Sequence, residues 1–324
     1  MIRDVPEPTA DDLAAAREVI GRYLRPTPTY PIDIRGRSVY AKLEVFQIYG
    51  AFKVRGALAA VAAAHRDDPR GAVITSSAGN HGLGIAFAAT TLGVPATVVV
   101  PANASPLKVK KLRAFAIELI EWGSSYDDAQ DKAFELAAER GSHYISPFND
   151  THVIAGQATL FDEFYAAAPD MTHVIVPVGG GGLISGALVA RASAGRDELH
   201  ITGVQPEHSA AMYHVLRGTA MNAVSHRPTI ADGLAGGGDE GALTNDLIAR
   251  HAVELVLVPE PLIREGVREA ADHNGLVIEG SAATAYAAIA NQLIDEVPGP
   301  LGFVACGRNI SPELLRELLL ESSH

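Results

Sequence analysis

From Val39 to Phe46 the chain reads as a strand rich in β-branched and aromatic residues; it breaks at Gly50 and restarts as an Ala-rich helix through Ala57 to Ala64. Further on, short apolar runs alternate with Ala-rich helical stretches. The runs are Ala72–Thr75, Ala96–Val100, Ile117–Trp122, Tyr144–Ser146, His173–Val178, Ile201–Val204, Glu254–Val258 and Gly302–Ala305. They are continuous rather than alternating, which predicts strands covered on both faces, as in a parallel sheet between helices. The βα alternation makes the fold class α/β. Upstream, Thr9 followed by Asp11 and Asp12 predicts a helix start, with the helix running to about Leu24. Pro26, Pro28 and Pro31 then force an extended segment. No repeat of fixed period, low-complexity segment or heptad pattern interrupts this.

Composition narrows the class of function. The 324 residues suffice for one large or two medium domains, and 48% hydrophobic with 20% charged residues is ordinary for a globular protein. A net charge of −12, without clustered Lys and Arg, argues against a nucleic-acid partner. One cysteine excludes an internal disulfide and fits a reducing compartment. Met1-Ile2-Arg3-Asp4 opens no signal-peptide core, and no apolar run approaches the roughly 18–20 residues of a membrane span. A cytoplasmic location without a membrane partner is expected. The stretch to His324 is too short for an appended regulatory domain. The twelve histidines show no paired metal-binding spacing, so no zinc site is expected.

Four segments carry candidate chemistry. Lys53 follows a strand and turn and opens a helix, where free N–H groups, the helix dipole and flanking Phe52 all disfavour the protonated amine. A lysine with a lowered pKa suits Schiff-base chemistry, although an exposed, snorkelling lysine is the default reading of the stretch alone. Thr75-Ser76-Ser77-Ala78-Gly79-Asn80-His81-Gly82 is a small-residue turn into a helix near Leu83, suited to an anion or to simple helix capping. Gly179-Gly180-Gly181-Gly182 ends an apolar strand and offers successive N–H groups to an anion. Its spacing does not fit a dinucleotide fingerprint, since no set of these glycines fills G-x-G-x-x-G. Cys306 stands at a strand end, where a lone cysteine is as readily a buried filler.

Together these segments resemble the fold-type II pyridoxal-phosphate enzymes, the family of threonine and serine dehydratases and serine racemase. Lys42 to Ala57 keeps that family's Lys, Glu, Gln, Gly, Phe-Lys and Arg-Gly-Ala positions but carries Tyr49 and Ala51 where Thr and Ser are usual. The match runs in order through the Ser-x-Gly-Asn-His loop, Ser146–Asp150, Ile154–Gln157, the tetraglycine, Thr229–Leu234, Ile278–Ala282 and Cys306–Ile310. It implies two open, twisted, mostly parallel sheets with helices on both faces. A large domain would comprise 1–70 and 150–324, and a small one 71–149. A homodimer is also implied.

The resemblance assigns pyridoxal 5'-phosphate as cofactor and Lys53 as its Schiff-base lysine and catalytic base. It places Phe52, Asn80, Leu183 and Glu279 against the cofactor, Gly179, Gly180, Gly181 and Gly182 around its phosphate, and Cys306 opposite its ring nitrogen. Ser77, Ala78, Asn80 and His81 would hold the substrate carboxylate. Serine racemases resemble this loop but carry a second serine at position 78, as the acid/base on the opposite face. Alanine there favours elimination. Some relatives bind a divalent cation through an acidic loop; Gln205 and Ala211 replace two of its acids, so no metal is expected. The racemases' arginine after Gly123 gives way to Tyr126, Asp127 and Asp128. The implied activity is dehydration of a β-hydroxy amino acid, threonine or serine first. Alternatives are a racemase, a dehydratase of 3-hydroxyaspartate or a hydroxyectoine breakdown product, and a non-catalytic cofactor-binding protein. Tyr49, Ala51, Phe148 and Arg308 are candidates for the side-chain pocket.

Overall fold

The structure, a computed structural model, describes residues 5–236, 238–295 and 298–321; the Met1–Asp4 opening and the end at His324 lie outside them. In chain order the elements are α1 (Ala10–Tyr23), β1 (Thr29–Ile34), β2 (Arg37–Lys42), α2 (Lys53–Asp67), β3 (Val73–Ser76), α3 (Asn80–Leu92), β4 (Ala96–Val100) and α4 (Pro106–Leu112). Then come β5 (Glu118–Glu121), α5 (Tyr126–Arg140), β6 (His143–Tyr144), α6 (Thr151–Ala167), β7 (His173–Pro177), α7 (Gly182–Ser193), β8 (His200–Pro206) and α8 (Ala211–Val215). The last are α9 (Leu243–Arg250), β9 (Glu254–Val258), α10 (Glu260–Asn274), α11 (Gly280–Ala290), β10 (Leu301–Val304) and α12 (Pro312–Leu320).

The strands form two sheets. One is six-stranded in the order β1-β2-β10-β7-β8-β9, parallel throughout except for the antiparallel β1/β2 pair. The other is four-stranded in the order β5-β4-β3-β6 and wholly parallel. Every residue of β3, β4, β7 and β10 is buried, as continuous apolar runs require when helices cover both faces. The segment of prolines after α1 becomes β1, an edge strand that tolerates Pro31 because its outer side needs no ladder donor. Thr9 caps α1 in a reciprocal box with Asp12.

The strand expected through Phe46 stops at Lys42, and Glu44–Phe46 is a 3₁₀ turn. The cause is charge burial. Glu44 is fully buried and pairs with the fully buried Arg55 at 2.9 Å, while Arg55 also reaches Glu163 at 2.7 Å. Lys42 joins the network through Glu163 at 2.6 Å. An extended chain would aim Glu44 elsewhere, so the backbone turns to deliver it. The helix after Gly50 begins at Lys53, the residue expected to open it. Where α2 crosses α6, a Cβ on Gly156 would come 2.6 Å from the Gly56 Cα, so both helices need glycine at that point.

Candidate active site

The turn carrying Lys53 is fastened to the exit of β10. Ala51 bridges Gly307, the Phe52 N–H donates to the Cys306 carbonyl at 3.1 Å, and the Arg308 N–H donates to the Gly50 carbonyl at 2.9 Å. Tyr49 takes φ 59° and Gly50 φ 73°, which reverses the chain sharply enough to point Lys53 back into the molecule. Its ammonium donates to the Pro147 carbonyl at 2.8 Å and sits 5.2 Å from the Phe52 ring centroid. Burial lowers the Lys53 pKa to about 8, against opposing pulls from Cys306 and Glu279.

One cavity of about 1120 Å³ collects Phe52, Lys53, Ser77, Ala78, Asn80, His81, the four glycines, Leu183, Glu279 and Cys306. It opens between the ends of the two sheets. Helix α3 starts at Asn80, three residues before Leu83, so its free N–H groups face the Ser77–Gly79 turn. The Thr75 hydroxyl donates to the Ile145 carbonyl at 2.8 Å, so His81 Nε2, 3.1 Å from Thr75 Oγ1, carries the proton of that contact. Burial, aided by Lys53, lowers the His81 pKa to about 3, so the ring stays neutral. An anion at this loop would therefore face a neutral imidazole.

Gly179–Gly182 form a cradle that side chains would fill. A Cβ on Gly180 would lie 2.4 Å from the Phe148 ring, and Gly181 takes φ 89° at the mouth of α7. Thr244 donates to the Gly180 carbonyl at 2.8 Å, which fixes that carbonyl, and a glycine loop at a helix mouth suits an anion.

Beyond Lys53 lies a polar cluster. Asn80 Nδ2 donates to Glu279 at 3.0 Å, and the Asn309 N–H donates to the same carboxylate at 2.8 Å. Asn309 Nδ2 in turn donates to Asn80 Oδ1 at 2.7 Å. Burial, with Asp232 nearby, raises the Glu279 pKa to about 7, against the donors that stabilise its charge. Burial also pushes the Cys306 thiol well above its usual range, so it stays protonated.

Of the four pocket candidates, only Phe148 lines the cavity. Tyr49 packs against Phe87, tilted, and Phe115, edge-on, with ring centroids 5.7 and 5.3 Å apart, Ala51 is buried in its bridge, and Arg308 packs over Gly50. The sequence reading missed Asn309, the cavity-facing Lys108 and Lys111 of α4, and Ser281. The conspicuous Asn-Ile after Cys306 was the available signal for Asn309. At the loop where relatives carry acids, Gln205 Nε2 donates to the Val178 carbonyl at 3.2 Å and its Oε1 accepts the Tyr213 N–H at 2.7 Å. Among the described residues no cluster of His, Cys, Asp or Glu could hold a metal ion. No helix among them is long and apolar enough to cross a membrane.

A lysine of lowered pKa, a glycine cradle for an anion, and a cavity-lining Ser281 hydroxyl without a hydrogen-bond partner among the described residues fit a phosphorylated aldehyde cofactor. Residues 20–307 match the family described as pyridoxal-phosphate dependent enzyme, and the chain belongs to it. It is 36% identical to the L-threonine ammonia-lyase of Thermotoga maritima, over 89% of this chain and 71% of that protein. Among solved structures it resembles a pyridoxal 5'-phosphate-dependent aspartate racemase, with TM-score 0.87 and 29% identity over 97% of this chain and 99% of that one. It also resembles the processed form of threonine deaminase isoform 2 from Solanum lycopersicum, with TM-score 0.83 and 28% identity over 98% of this chain and 95% of that one.

Proposed function

We propose that this protein is a lyase that removes water from a β-hydroxy amino acid, with L-threonine or L-serine as substrate, giving a 2-keto acid and ammonia. The observation that carries the reading is a single buried lysine base facing the cavity beside an alanine, Ala78, on the anion-binding turn. The bound cofactor supplies the electron sink for the bond cleavages. Ser77 and the N–H groups at the start of α3 orient the substrate carboxylate. The Lys53 amine, neutral in a large fraction near pH 8, takes the Cα proton. The Cβ–O bond breaks, and the hydroxyl leaves with a proton as water. The released enamine tautomerises and hydrolyses to the keto acid and ammonia. Ala78 has no proton to return to the opposite face, which favours elimination over racemisation.

The same reading takes residues 71–149, with the four-stranded sheet, as a small domain closing over the cleft. It takes the protein as a cytoplasmic homodimer. Exposed Phe46, Ile48 and Tyr49, in one stretch before the lysine, support self-association.

The test offers the purified holoprotein L-threonine, L-serine and L-threo-3-hydroxyaspartate, while keto acid and the enantiomer of each substrate are measured. Keto acid from one of them, abolished in Lys53→Ala, supports the lyase and selects its substrate. Enantiomer without keto acid would replace it with a racemase.

A further inference from the structure

The hydroxyl of Ser281 is a buried polar group for which the cavity offers a use and the described residues offer no partner. Ser281 is 2% exposed, lines the cavity, and its Oγ has no hydrogen-bond partner among the described residues. Three residues further along α11, Thr284 satisfies its hydroxyl on the Gly280 carbonyl at 3.0 Å, as buried helical hydroxyls commonly do. Ser281 is the second residue of that helix and has no carbonyl of the helix behind it. Its neighbours Ala282 and Ala283 are apolar and fully buried, so nothing in the local packing calls for a hydroxyl.

Its surroundings say what it faces. The Glu279 N–H donates to the Gly307 carbonyl at 3.0 Å and the Asn309 N–H donates to the Glu279 carboxylate, so the start of α11 runs beside the Cys306–Asn309 segment. Gly233 lies on the other side, where a Cβ would come 2.7 Å from Ser281 Oγ; glycine there leaves the hydroxyl its opening. The nearby Glu279 carboxylate already accepts from Asn80 and Asn309. A hydroxyl that is buried and unpaired, at a helix start running beside the segment that carries Cys306, lacks an acceptor, and an aromatic ring nitrogen is an acceptor of the right size and polarity.

We propose that Ser281 is a cofactor-contacting residue whose hydroxyl donates a hydrogen bond to the pyridine nitrogen of bound pyridoxal 5'-phosphate, beside the weaker thiol donor of Cys306. This rests on the family's cofactor and not on the choice of substrate. Two neutral donors, with no carboxylate, keep that nitrogen unprotonated. Ser281 thereby anchors the end of the ring remote from the phosphate cradle.

The experiment titrates apoprotein with pyridoxal 5'-phosphate and follows the visible absorption and fluorescence of the bound cofactor in wild type, Ser281→Ala and Ser185→Ala. Ser185 is the control, a fully buried serine whose hydroxyl is likewise unpartnered but which does not line the cavity. Loss of one hydrogen bond predicts a Kd about fivefold to tenfold weaker in Ser281→Ala. Its absorption maximum shifts and its apoprotein melts no lower than wild type, while Ser185→Ala keeps the wild-type Kd and spectrum. If Ser281→Ala is not recovered folded, Ser281→Cys, with a weaker donor at similar volume, carries the same comparison. An unchanged Kd and spectrum in the variant recovered overturns the proposal. So does an equal change in Ser185→Ala.

Discussion

Lys53 combines two demands that a surface lysine never meets together: it must be held, and it must be able to lose its proton near neutrality. The Pro147 carbonyl holds it, and burial brings its pKa to about 8. The sign of the pH effect follows. Schiff-base formation needs the neutral amine, whose fraction grows as pH rises through about 8, so capture of pyridoxal 5'-phosphate by the apoprotein should accelerate roughly tenfold per pH unit below that value and level off above it. Stopped-flow absorbance between pH 6 and 9 checks this; a flat profile would mean the amine is already neutral at pH 6. Lys53, Asn80 and the four glycines were legible in the sequence because each lies in a short local motif at a strand-to-helix turn. Asn309 and Ser281 were not, since their meaning comes from neighbours across the fold: Asn80 for one, Gly233 for the other.

Between residue and molecule stands the segment from β2 into α2, whose shape is set by buried charge. Arg55 is wholly enclosed, with its guanidinium shared between Glu44 and Glu163, and Lys42 closes the group from the other side. Removing the arginine would strand the fully buried Glu44 carboxylate and leave Glu163 with Lys42 alone. Arg55→Met should therefore cost about 3–5 kcal/mol of stability, whereas Arg113→Gln, which breaks an exposed pair with Glu121, should cost less than about 1 kcal/mol. Urea denaturation of the two apoproteins makes the comparison, and equal losses would remove the network from the account of this turn. The apolar runs at Ala96–Val100 and Glu254–Val258 became strands with those bounds; the first is buried throughout, and in the second Leu255 and Val258 are buried while β-branched and aliphatic residues fill the positions between. The run through Phe46 did not, because the partner that bends it lies eleven residues further along at Arg55. Pro31 masked β1 for a related reason, as only the finished sheet shows that strand to be an edge.

At the scale of the whole molecule, α4 reaches from the four-stranded sheet over the cleft to loops of the other sheet. Lys108 pairs with Asp232 at 2.7 Å, and Lys111 donates to Asn309 at 3.1 Å. Side chains this exposed add little to stability, so Lys108→Gln should leave the urea midpoint nearly unchanged. Its effect should fall on closure, raising KM several-fold with a smaller change in kcat, and high salt should move wild type the same way. A KM insensitive to both would leave the pair without a part in closing the cleft. The order of strands in the sheets was not legible from the chain, because pairing partners are chosen across long crossovers. β10, which follows every other described strand in the chain, inserts between β2 and β7, and it leads directly to Cys306 and Asn309. A ribosome still short of Leu301 thus holds a nascent chain with a gap in the middle of its larger sheet. Cofactor loading therefore waits until β10 and the Cys306–Asn309 segment have been made, and a message terminated before Leu301 should yield protein that cannot trap the vitamin.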